Sequence, residues 1–176
     1  NPPIIPNNNP QTTQGIALGR KLFFDPILSK DGDLSCASCH SPELAFSDGK
    51  SFSSGANNQI SSRNSMPIFN LAWNWEDKFF WDGRVISLET QTLEPIVNPN
   101  EMDNTWPNAV ASLQADPNYP NLFKALILVD SVVVVPPDKV RNFAPRRSMI
   151  RQEFFYDSLD KAIQSFRLIP PQPCKN

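Results

Sequence analysis

The string Cys36-Ala37-Ser38-Cys39-His40 constrains this chain more than any other feature of its 176 residues, and His40 is the only histidine. Cys36 and Cys39 lie three apart, so on a helical turn their thiols share a face. His40 follows four residues beyond Cys36 and is expected to stay on that face. C-x-x-C-H is the attachment signature of c-type haem. The thiols reach the two vinyl groups of one porphyrin, and the imidazole meets the iron as proximal ligand. A zinc half-site is one alternative, but no second Cys/His pair is present to complete four ligands. A redox dithiol is another, although no βαβ pattern surrounds the motif. The expectation is one covalently bound haem c, attached through Cys36 and Cys39, with His40 as its metal ligand.

A chain of this length fits one domain of ordinary size with a ragged tail. Apolar residues make up 40%, with twelve Phe and four Trp, which is enough to form a core around a porphyrin. Eighteen Pro against six Gly imply short elements joined by stiff, extended loops. The formal charge of −2 and the lack of a basic tract argue against nucleic acid as a partner. The longest apolar run, Ala125 to Val135, is interrupted by Asp130 and Ser131, so no transmembrane segment is expected. The chain opens on Asn1-Pro2-Pro3 with no charged and apolar leader, so any secretory signal is expected to have been removed. In bacteria haem thioethers are made outside the cytoplasm, which places the chain in the periplasm or at the outer surface. Cys174 is left over and is expected to be a tail thiol, because its obvious partners are committed to haem.

The fold expected is mainly α: a cytochrome c-like helical haem domain with long loops. Residues 1–13 read as an extended Pro/Asn-rich arm, 14–125 as the haem domain, and 126–176 as a weakly patterned tail. Within the domain, Ile16, Leu18, Leu22 and Phe23 predict a helix over 14–24 that ends at Asp25-Pro26. The haem helix follows the Asp31-Gly32-Asp33 turn. Residues 47–65 form a long polar loop, the kind that is often functional. Helices are expected over 86–93, over 106–115 with Thr105 as N-cap, and over 119–128. Val132 to Val135 favours a strand. Arg141, Arg146, Arg147 and Arg151 mark a solvated basic segment. Residues 157–168 form an amphipathic helix carrying Leu159, Ala162, Ile163 and Phe166.

Three stretches carry a resemblance. They are Leu18-Gly19-Arg20-Lys21-Leu22-Phe23-Phe24-Asp25-Pro26, then Leu34-Ser35 running into the haem motif with Ala45-Phe46-Ser47-Asp48-Gly49, then Phe80-Trp81-Asp82-Gly83-Arg84 with Ser87-Leu88-Glu89. Arg63-Asn64, Pro95-Ile96 and Asn98-Pro99-Asn100-Glu101-Met102 follow in the same order. Together they resemble the N-terminal haem domain of bacterial di-haem cytochrome c peroxidases and their MauG-like relatives, over about residues 14 to 125. The resemblance implies that this haem reacts with peroxide. It also implies that Glu101 and Gln91 line its distal side and that Trp81 stands between the family's two haems, where it relays electrons or packs on porphyrin. A carboxylate there shuttles a proton between peroxide oxygens, and an amide orients the oxidant without titrating. Asn64 matches an inter-domain calcium ligand, one oxygen of the six to eight that calcium takes.

The sequence departs from the family in two places. Where the peroxidases often carry a distal histidine, this loop reads Ser54-Gly55-Ala56-Asn57-Asn58-Gln59. The sixth iron position is therefore open, or taken by Met66 or Met102. A Met ligand would raise the potential and favour electron transfer. Family position sets Met102 beside the glutamate, which favours the open site, with Met66 and Met149 as core residues. The family's C-terminal domain, with its own haem, is also expected to be missing, although residues 157–168 faintly resemble a helix that begins that domain, while 126–150 match poorly. The reading reached is a haem peroxidase domain acting on hydrogen peroxide, with electrons from a small redox protein or a neighbouring haem subunit. Its rival is a mono-haem electron carrier or a haem subunit of a larger complex. A third course is oxidation of a partner protein's side chain, as in the MauG-like branch.

Overall fold

The structure is a computed structural model that describes residues 11–74 and 76–130. The arm up to residue 10, the expected strand at 132–135, the basic segment, the helix at 157–168, Met149 and Cys174 lie outside the described residues. The fold is helical, as expected. Its longer helices are α1 (Thr13–Phe24), α3 (Leu88–Val97), α4 (Trp106–Ala115) and α5 (Tyr119–Asp130), and the one-turn α2 (Cys36–Cys39) carries the cysteines.

Each boundary has a local cause. α1 starts one residue earlier than its apolar pattern suggests, because the Thr12 hydroxyl accepts the Gly15 N–H at 3.0 Å. At its other end Asp25 accepts the Ile27 N–H at 3.0 Å and turns the chain into a short 3₁₀ segment, Pro26–Leu28. α4 begins where expected, after Thr105, whose side chain accepts the Asn108 N–H. α3 begins later and ends later than its pattern predicts. Ser87 caps it by accepting the Thr90 N–H at 3.2 Å, and the helix runs through Pro95. Pro95 lacks the N–H that would bond the Gln91 carbonyl, yet the Asn98 N–H still closes on the Glu94 carbonyl at 3.1 Å.

The core joins α1, α3, α4 and α5 around Leu18, Leu22, Leu28, Ile96, Met102, Ala109, Leu113, Tyr119 and Phe123. Full burial of a leucine-sized side chain is worth about 1.5–3 kcal/mol, whereas a helix cap is worth about 1 kcal/mol. Packing therefore holds the helices together, and the caps decide where they start. The loop-rich stretch between α2 and α3 contributes a smaller cluster of Phe79, Val85 and Leu88. It is closed by isolated antiparallel bridges at Ser41/Ser47, Ser54/Ile60 and Phe79/Val85. Those closed loops form one side of a cavity, and α3 forms the other.

Candidate active site

The cysteines stand on a single turn. Ser35 precedes it and its N–H donates to the Ser38 hydroxyl at 3.0 Å, which holds the start of a helix too short to be stable alone. Both cysteines are thiols, half-buried, and in no disulfide. The helix does not continue through His40, which corrects the expectation that register alone aims its ring. His40 is the C-cap, with φ −125° and ψ 63°. Its orientation comes from the Phe46 carbonyl, 3.0 Å from Nδ1. A carbonyl only accepts, so Nδ1 carries the proton and Nε2 keeps its lone pair for a metal. Ala45 and Phe46 are both left-handed, with φ of 55° and 57°. The Phe46 N–H donates to the Ser41 carbonyl at 2.8 Å and the Ser41 N–H to the Ser47 carbonyl at 3.0 Å. Two strained residues in a closed loop thus aim one carbonyl at the imidazole.

Cys39 and His40 line a cavity of about 220 Å³ whose other walls include Met66, Trp81, Gln91, Pro95, Asn98 and Glu101. Cys36, at the start of α2, is not part of that lining. Gln91, on α3, is only 4% exposed. Its Nε2 donates to the Met66 sulfur at 3.3 Å, and its Oε1 is buried with no partner among the described residues. Glu101 accepts at Oε1 from Asn98 Nδ2 at 2.9 Å, a bond that fixes the direction of the carboxylate. Trp81 sits at the rim with half its surface exposed, and its indole N–H donates to the Asn64 carbonyl at 3.0 Å. Next to it, Arg84 donates to Glu94 of α3 at 2.9 Å, pairs with Asp82 at 3.1 Å and lies over the Phe80 ring at 3.7 Å. This ties the loop bearing Trp81 to the helix bearing Gln91.

The residues present fit a covalent haem. Burial pushes the Cys39 thiol above its ordinary value, a contact with Ser65 pulls it part of the way back, and the charges of Asp48 and Glu101 push it further up. A thioether has no proton to lose, so attachment removes that electrostatic conflict. Glu101 acts on Cys39 at all because the carboxylate and the attachment residue face one space. The orphaned oxygen of Gln91 is a buried polar atom of the kind that asks for a ligand.

The structure brings Cys39, His40, Gln91, Glu101 and Trp81 around one cavity and leaves Cys36 outside its lining. Met102 is buried in the helical core, 6% exposed, among Leu18, Leu22 and Ile96. Met66 is not a core residue as expected. The loop carrying it stays outside the helical core, and its sulfur is turned to Gln91. Asn64 lies exposed at the rim, and among the described residues no three His, Cys, Asp or Glu side chains gather to hold a metal. The Phe46 carbonyl and Asn98 were missed. A backbone carbonyl has no sequence signature, and Asn98 reads as an ordinary helix-end residue. Its one signal was its place three residues before Glu101.

Residues 13–169 match the family described as di-haem cytochrome c peroxidase. The chain is 44% identical to the methylamine utilization protein MauG of Methylorubrum extorquens over 119 residues, which is 68% of this chain and 33% of that protein. It is 35% identical to cytochrome c peroxidase Ccp of Escherichia coli over 137 residues, 73% of this chain and 29% of that protein. Among solved structures, a MauG-like protein associated with microbial copper homeostasis superposes with a TM-score of 0.72 at 29% identity, covering 95% of this chain and 43% of that one. The chain spans about a third of the length of such curated relatives.

Proposed function

The chain belongs to the family of di-haem cytochrome c peroxidases and MauG proteins, oxidoreductases that carry c-type haem, and from that premise we propose that it is the peroxide-reacting haem domain. One observation carries the proposal. A single cavity is bounded by Cys39 and His40 on one side and by Gln91 and Glu101 on another. In this reading one haem c is held by thioethers to Cys36 and Cys39, with His40 Nε2 toward the metal, and the haem domain comprises residues 14–125.

Bound haem supplies a metal that exchanges electrons with hydrogen peroxide. The chain's own residues do the rest. Glu101 takes a proton from one peroxide oxygen and returns it to the other, general acid–base work of the kind worth about 10²–10⁴ in rate. Asn98 holds the carboxylate in place between those steps. Gln91 presents a carbonyl with no competing partner and so orients the oxidant without changing charge. Two electrons and two protons then balance one peroxide against two waters. The electrons come from a small redox protein or a neighbouring haem subunit, through the exposed edge at Trp81. In the MauG-like branch they would come from a partner protein's side chain. Asn64 would supply one oxygen of a calcium site whose other ligands lie elsewhere. Family members are typically periplasmic, and no helix among the described residues is long and apolar enough to cross a membrane. We place this chain outside the cytoplasm.

Met66 favours a second reading, because its thioether lies in the wall of the same cavity. If it takes the sixth iron position, the protein is an electron carrier. The ferric optical spectrum separates the two. The enzyme shows a high-spin spectrum that shifts when peroxide is added. A low-spin His/Met spectrum unmoved by peroxide overturns it. Glu101→Ala should slow the peroxide reaction on the order of a hundredfold while haem content stays the same.

A further inference from the structure

Gly55 has backbone angles, φ −107° and ψ −157°, that any residue can adopt. What it cannot accept is a side chain. A Cβ on Gly55 would stand 2.0 Å from the Asn100 carbonyl oxygen, 2.6 Å from the Asn100 carbonyl carbon and 2.8 Å from the Glu101 Cα. These neighbours are backbone, so no rotamer change relieves the clash. The next residue bonds to the same place, with the Ala56 N–H donating to the Glu101 carbonyl at 2.6 Å. The residue before Gly55 lies against the other wall, with the Ser54 carbonyl oxygen 3.9 Å from the Cys39 sulfur.

The loop that makes these contacts is closed on itself. The Gly55 N–H donates to the Gln59 carbonyl at 2.8 Å, the Gln59 N–H to the Ala56 carbonyl at 3.0 Å, and the Ser61 N–H to the Ser53 carbonyl at 2.9 Å. Glu101 is gripped from the opposite side as well. The Met102 N–H donates to the Pro95 carbonyl at 3.1 Å, and the Met102 side chain is sunk in the helical core. The backbone of Glu101 is thus held between the core and a rigid loop that also touches the haem-attachment wall.

We propose that Gly55 and Ala56 are positioning residues for Glu101: the loop acts as a spacer, three residues thick, that sets how far the carboxylate stands from Cys39. The absence of a side chain at Gly55 allows the approach, and the Ala56 N–H fixes it. This rests on Glu101 being the proton-moving group. A shift of about an ångström in such a group costs on the order of a hundredfold in rate, so tight placement of its backbone has a direct chemical consequence.

The test uses the haem-loaded protein. Ala56→Pro deletes the N–H that donates to the Glu101 carbonyl. Ala56 precedes the left-handed pair Asn57 and Asn58, φ 53° and 59°, which make the tight turn, and extended Gly55 is what proline prefers before it. Gly55→Ala is the harsher companion. Two readouts are taken, the pH profile of the peroxide reaction and hydrogen exchange in the peptide 98–104. Ala56→Pro should slow the reaction on the order of tenfold, move its pH profile, and speed exchange in that peptide but not in α4. In a Glu101→Gln background, itself slow, Ala56→Pro should have no further effect on rate. If Ala56→Pro is as fast as the parent, or slows the Glu101→Gln protein equally, or leaves exchange unchanged, the positioning role is overturned while Glu101 keeps its assignment. If Glu101→Gln alone reacts at the parent's rate, the assignment of Glu101 falls and takes this inference with it.

Discussion

Gln91 and Met66 meet through one of the weakest hydrogen bonds a protein makes, an amide N–H on a thioether. The weakness has a use. A backbone carbonyl in place of the sulfur would hold the amide firmly, whereas the thioether orients it and leaves its oxygen to the cavity. Met66→Leu keeps the volume and removes the acceptor. It should cost less than about 1.5 kcal/mol in a denaturant titration and leave the ferric spin state unchanged, because Met66 is not an iron ligand in the peroxidase reading. A low-spin spectrum that turns high-spin on this substitution would instead make the sulfur a ligand. At this scale the site was partly legible. Cys36, Cys39 and His40 announce themselves through chemistry that needs those residue types in that order. Gln91 and Glu101 came only through the resemblance, because a glutamine or a glutamate by itself reads as surface. Met66 was misjudged because spacing says nothing about which way a residue in an aperiodic loop turns.

At the scale of elements, the boundary between the helical core and the cavity loops is governed by Asn104. It is 5% exposed. Its Nδ2 donates to the Leu28 carbonyl at 2.8 Å, across 76 residues, and its Oδ1 accepts from the Thr105 N–H and Asn108 Nδ2 at 2.8 Å each. One side chain therefore ties the start of α4 to the turn after α1, just beyond the loop that carries Glu101. Asn104→Ala should destabilise the protein by about 2 kcal/mol, since it leaves the Leu28 carbonyl without that donor. The check is a lowered urea midpoint at unchanged slope. Helices were readable wherever apolar periodicity met a cap, as at Thr105. They were misplaced where a rule conflicted with packing. Proline is a poor residue inside a helix, but Ile96 just beyond Pro95 is 1% exposed in the core, and its burial carries α3 past the expected end at 93. Ties such as Asn104 to Leu28 join residues far apart in sequence and leave no local pattern.

The whole molecule is closed by a contact between its first and last described helices. The Tyr119 hydroxyl donates to Asp25 at 2.8 Å, and Lys21 pairs with the same carboxylate oxygen at 3.2 Å while lying 4.6 Å from the centre of the Tyr119 ring. Burial pushes the Asp25 carboxyl up, but hydrogen bonds from Tyr119, the Ile27 N–H and Lys21, together with the Lys21 charge, hold it below the usual aspartate value. Burial raises the Tyr119 phenol, and the hydrogen bond to Asp25 and the charges of Asp25 and Asp116 raise it further, so it stays neutral above its ordinary range. The signs follow. A depressed carboxyl adds stability above its unfolded pKa and loses it as pH falls through the lower folded value. A raised phenol adds stability below about 10 and loses it as pH climbs above that. The closure is therefore strongest across the neutral range and weakens at both ends. Tyr119→Phe keeps the buried ring and removes only the donor to a charged acceptor, so it should cost about 1.5 kcal/mol at neutral pH. Measured again in acid, below the folded pKa of Asp25, the difference between parent and variant should shrink, because the acceptor has lost its charge. A penalty that stays constant from neutral to acid pH would mean that Tyr119 holds α5 by packing alone.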